Sequence, residues 1–140
     1  NPAVYNSIEN LLGKLYRNHS NTNRAMRVVI IEKYIITTLI ENMKKILEIS
    51  FNKSKMSIET VTEIFDNLLY DCIIMQSHFS FLVQSNTITH GFYEDISSNL
   101  ESITKQLSSW KKYILEKKIK KAEEIKKADN LVEYKSFSSF

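Results

Sequence analysis

A single heptad register runs from Ile58 to Ile114, and few folds accommodate such a pattern. Alternate steps of three and four give Ile58, Val61, Phe65, Leu68, Cys72, Met75, Phe79, Leu82, Asn86, Thr89, Tyr93, Ile96, Leu100, Ile103, Leu107, Trp110 and Ile114. Only Asn86 and Thr89 among them are plainly polar. Apolar residues at this spacing line one stripe of a helix and favour coiled packing. Because the register survives the polar patch, it predicts one helix from about 57 to 133, roughly 110 Å long at ~1.5 Å per residue. The expected fold is all-α, an elongated antiparallel hairpin of long helices.

The first arm of the hairpin is predicted over residues 2–50. Asn1 suits an N-cap and Pro2 the first helical position. Tyr5, Ile8, Leu12, Leu15, His19, Thr22, Met26, Val29, Lys33, Ile36, Ile40, Met43 and Leu47 then follow a second, less regular register. The β-branched stretch Val28 to Ile40 has strand propensity. Its polar residues nevertheless cluster in pairs one helical turn apart, which favours helix. Residues 51–56 form the predicted loop, and Ser57 the N-cap of the second helix, with Glu59 complementing its dipole. With only two glycines and one proline in 140 residues, there are few breakers, and one domain is expected. The alternative is a compact four-helix bundle with breaks at 18–23 and 85–91, where Asn86, Thr87, Thr89 and Gly91 are poor helix formers.

In the hairpin the longer second helix leaves part of its seam without a partner. Tyr93, Ile96, Leu100, Ile103, Leu107, Trp110 and Ile114 would form an exposed apolar patch of the kind that marks association. This predicts a homodimer, or a partner-protein helix laid on the seam. The absence of an initiator methionine is read as a piece of a longer protein, and no segment is apolar enough to span a bilayer.

Beyond the seam, Lys105, Lys111, Lys112, Lys117, Lys118, Lys120, Lys121, Lys126 and Lys127 face only Glu116, Glu123 and Glu124, a local charge of +6. The ordinary reading is a solvated helix face. The functional one is an anionic surface, such as a phospholipid membrane, contacted by Lys111, Lys112, Lys117, Lys118, Lys120, Lys121, Lys126 and Lys127. The chain has few arginines and no nucleic-acid reading motif, so no nucleic-acid partner is expected. Catalysis finds no support: His19, His78 and His90 are scattered, and neither a phosphate-cradling glycine loop nor a nucleophile elbow occurs. No metal, cofactor or enzyme activity is expected. Cys72 is read as a small buried apolar residue.

Two segments resemble a known family. Arg27-Val28-Val29-Ile30-Ile31-Glu32-Lys33-Tyr34, with Leu39 and Lys44-Lys45 after it, is similar to the first long helix of F-BAR domains. His78-Phe79, Leu82, Phe92 and Leu100, then the lysine-rich tail with Lys127-Ala128 and Tyr134, resemble the next helix. Val28 and Ile35 depart from the family's alanines, and the long returning helix is absent. The resemblance implies a curved homodimer on the cytoplasmic face of a membrane, acting in membrane remodelling, endocytosis or cytokinesis. The competing expectations are a coiled-coil scaffold or tether, and a four-helix adaptor for a partner protein.

Overall fold

The structure is a computed structural model that describes residues 2–17 and 27–138. It contains α1 (Ala3–Arg17), a π-helical stretch (Arg27–Ile36) leading into α2 (Thr37–Asn52), a short 3₁₀ turn (Lys53–Lys55), α3 (Ile58–Gln84) and α4 (His90–Ser138). The all-α expectation holds, and no strand occurs among the described residues. The β-branched segment is helical, in a wider π form that is rare at this length.

The helices alternate in direction. Ser7 pairs with Gln106 and Lys14 with Asp95, so α1 is antiparallel to α4. Gln76 reaches Ser97 and Asp66 meets Lys111, which sets α3 antiparallel to α4. Tyr34 packs against His78, and Asn42 lies beside Asp71, which fixes the course of α2 along α3. The result is an up-down-up-down four-helix bundle.

The expected unbroken helix over 57–133 therefore becomes two. Its break is a helix stop of defined geometry: Thr87 N–H bonds back to Leu82 O at 2.9 Å and Asn86 N–H to Val83 O at 3.1 Å. Asn86 takes the left-handed conformation this closure requires, with φ 59°. Thr89 then caps α4, its hydroxyl accepting from Phe92 N–H at 3.2 Å. The first arm is likewise divided, because α1 and α2 run in opposite directions; the break expected at 18–23 lies outside the described residues.

One core runs the length of the bundle. On α3 it uses Val61, Phe65, Leu68, Cys72, Met75, Phe79 and Leu82, the stripe the heptad register identifies. Ser57 caps this helix by accepting from Thr60 N–H at 3.1 Å. In the first arm the register holds in α1, where Ile8, Leu12 and Leu15 are buried, and is out by one position along α2. Ile35, Leu39, Asn42, Ile46 and Ile49 are buried, whereas Ile40 is 40% exposed. The reason is Asn42, a polar residue on the buried stripe. With its amide nitrogen turned toward α3, it donates to Asp71 Oδ2 at 2.9 Å and Thr38 O at 3.3 Å, so its burial leaves no donor unpaired.

Candidate functional site

Helix α4 is longer than the bundle that holds it. Its inward stripe of Phe92, Ile96, Leu100, Ile103, Leu107 and Ile114 packs on the core, and Lys118 marks the limit of that contact. Every side chain from Ile119 to Ser136 is exposed. Residues 119–138 thus extend about 30 Å past the bundle at ~1.5 Å per residue.

This geometry corrects the association seam. Ile96, Leu100, Ile103, Leu107 and Ile114 are buried by helices of their own chain. Trp110 packs edge-on against Phe65, centroids 5.2 Å apart, and Tyr93 is half-buried, accepting from Gln76 Nε2 at 3.3 Å. The seam seemed open only because α3 and α4 were read as one helix. Folding α4 back supplies its cover, and a second copy is not needed to shield those residues.

The lysines separate into three groups. Lys111 and Lys118 serve the bundle. Lys111 Nζ pairs with Asp66 Oδ1 at 2.8 Å. Lys118 Nζ donates to Lys53 O and, at 2.6 Å, to Met56 O, satisfying carbonyls in the turn between α2 and α3. Lys117, Lys120, Lys121 and Lys127 form the second group. At 3.6 residues per turn they share an arc of about 120° on the protruding helix, with Glu124 as the one carboxylate within it. Lys112 and Lys126 fall on the far side, where Glu123, Asp129 and Glu133 offset them. Lys117, Lys120, Lys121 and Lys127 make no ion pair among the described residues.

The arc meets a small pocket where α4 leaves the bundle. Lys53, Ser54, Tyr113, Ile114, Lys117, Lys118 and Lys121 enclose about 170 Å³. The Lys117 ammonium lies 4.7 Å from the centroid of the Tyr113 ring. Hydrogen bonding toward Lys117 and its charge, with a further contribution from Lys53, hold the Tyr113 phenol below its usual pKa. Lys53, Ser54 and Tyr113 were missed as site residues in the sequence. Lys53 lies in a loop 65 residues from Lys118, and only the folded bundle brings the two together.

One flank of the molecule has the opposite charge. No lysine or arginine occurs between Lys55 and Lys105, while Glu59, Glu63, Asp66, Asp71, Glu94, Asp95 and Glu101 all do. Helix α3 and the first part of α4 therefore make an acidic flank beside a basic end. Such a charge dipole orients a protein approaching an anionic surface.

Among the described residues, no group of three or more His, Cys, Asp or Glu is placed to hold a metal. His78 packs edge-on against Tyr34 at 4.6 Å, His90 is exposed, and His19 lies outside the described residues. Cys72 is buried and unbridged; burial pushes its thiol up to about 11, with Asp71 adding to the rise and a Thr104 hydrogen bond opposing it. No helix among the described residues is long and apolar enough to cross a membrane. No protein-family model, curated protein or solved structure matches the chain.

Proposed function

We propose that this chain acts by binding rather than catalysis, as a helical module that lays the basic arc of α4 on an anionic membrane surface. The observation that carries this reading is the gathering of Lys117, Lys120, Lys121 and Lys127 on one side of a helix that has left its bundle. Each lysine near an anionic bilayer contributes on the order of 1 kcal/mol. Tyr113, Leu131 and Tyr134 are exposed on the same side, and aromatic rings of this kind settle at the membrane–water interface. The acidic flank would be repelled, which turns that side of the bundle away from the membrane. Peripheral attachment at a cytoplasmic membrane, as the F-BAR resemblance implies, is part of this proposal.

A second reading has its own observation. Ile119, Ile125, Leu131, Val132 and Tyr134 are each about half-exposed or more on the protruding helix, spread around it rather than on the lysine arc alone. A partner-protein helix could cover them, which would make the chain a four-helix adaptor.

Co-sedimentation with phosphatidylserine-containing vesicles across a salt series separates the two. Membrane attachment predicts pelleting at low salt that falls steeply toward 0.5 M, a concentration at which screening reaches only ~4–5 Å. It also predicts none with neutral vesicles. Failure to pellet with anionic vesicles at low salt would leave the adaptor as the better account.

A further inference from the structure

The pocket beside the arc is built differently from the arc itself. Four of its lining residues are lysines, and none is a carboxylate. Lys118 spends its ammonium on the carbonyls of Lys53 and Met56. Lys117 lies against the Tyr113 ring, and Lys53, Lys117 and Lys121 form no ion pair among the described residues. Three exposed like charges beside one small pocket favour an anion there over a cation. Ile114, Ser54 and Tyr113 complete the lining. Lysines beside an aliphatic side chain, a serine and a tyrosine suit an anion attached to a carbon body.

We infer that this pocket binds the phosphomonoester group of a small phosphorylated molecule or lipid headgroup, with Lys53, Lys117 and Lys121 as its ligands. A phosphomonoester offers three terminal oxygens and a charge near −1.5 to −2, one oxygen for each ammonium. A phosphodiester headgroup such as phosphatidylserine offers two at the phosphate, and its serine carboxylate is offset by the adjacent ammonium. Lysine's mobile point charge suits a pocket whose ligand arrives at the end of a flexible chain. Lys118 has the prior task of bonding the carbonyls of Lys53 and Met56 in the turn.

This inference rests on the membrane reading for its lipid form only. The test compares vesicles carrying phosphatidate with vesicles carrying phosphatidylserine at matched surface charge, and titrates free glycerol 3-phosphate by calorimetry. Wild type is set against Lys53→Gln and Lys55→Gln; Lys55 is exposed in the same turn but does not line the pocket. Wild type should prefer phosphatidate by roughly tenfold, as one further charge-assisted hydrogen bond to phosphate implies. Lys53→Gln should abolish the preference and Lys55→Gln retain it. Calorimetric binding of glycerol 3-phosphate, lost in Lys53→Gln, would identify a soluble ligand as sufficient; preference without it would identify the headgroup in its membrane. Equal binding to both vesicles, with no glycerol 3-phosphate binding, would overturn the pocket and leave the surface reading standing. Glycerol 3-phosphate binding without vesicle binding would keep the pocket and end the membrane reading. No binding of any probe would end both.

Discussion

Lys118 Nζ donates to the carbonyl of Met56 at 2.6 Å and also to that of Lys53, fastening α4 to the turn between α2 and α3. On one side of this tie α4 is a packed bundle helix; on the other it is an exposed rod. The tie places the start of the lysine arc against the loop that carries Lys53.

Removing that ammonium separates structure from binding. Lys118→Met keeps the stem and loses the hydrogen bonds, so it should destabilise the bundle by about 1–2 kcal/mol, below the full range for charged hydrogen bonds because the site is partly solvated. Urea unfolding measures this. An unchanged midpoint would mean that the tie contributes nothing.

The core prediction concerns α3. Phe79 and Leu68 are fully buried, and truncating such residues to alanine leaves a cavity. Phe79→Ala should cost about 3–5 kcal/mol and Leu68→Ala about 2–5 kcal/mol. Thermal midpoints that stay at the wild-type value would contradict the packing of this helix.

Asn86 tests the chain reversal between α3 and α4. Its φ of 59° suits asparagine or glycine, while a β-branched residue there is strained. Asn86→Gly should change stability by a few tenths of a kcal/mol and Asn86→Ile should lower it by about 1–2 kcal/mol. Equal effects in chemical denaturation would argue for a continuous helix through this point.

Asp71 gives a pH dependence with a definite sign. Burial raises its carboxyl above the ordinary 3.8, against the opposing charge of Lys45 and the hydrogen bond from Asn42. The folded state then holds the proton more tightly than the unfolded one. The stability so gained is fully present below about 3.8 and is lost as pH rises through the folded value. Asp71→Asn lacks this titration and still offers an oxygen to Asn42. Its thermal midpoint relative to wild type should therefore be more favourable at pH 7 than at pH 3.5. A difference independent of pH would show that Asp71 does not titrate abnormally.

How far the sequence reveals this molecule depends on which force decides each feature. The core stripe of α3 was legible because hydrophobic spacing alone sets it. The reversal at 85–89 was not read from that spacing: Leu82 and Phe92 are both buried, and the register passes over the loop between them. Local chemistry carried the missing signal, in an asparagine able to turn left-handed and a threonine able to cap three residues before Phe92. Asn42 misled in the other direction, since periodicity assigns an asparagine to the surface and only Asp71 across the interface explains its burial. The lysines were visible as a run, but their division into tie, arc and far side depends on where α4 leaves the bundle. Lys53 joins them only through the fold.

The arc and the far side of α4 permit a comparison at constant charge. Lys117→Glu with Lys121→Glu changes net charge as much as Lys112→Glu with Lys126→Glu, and both pairs are exposed on the same helix. Apparent affinity for phosphatidylserine vesicles at low salt, measured for wild type and both double variants, is the most direct test. The arc pair should weaken binding by at least about tenfold, given on the order of 1 kcal/mol per lysine, while the far-side pair stays near wild type. Equal losses in the two variants, or no loss in the arc pair, would contradict a membrane contact made by this face.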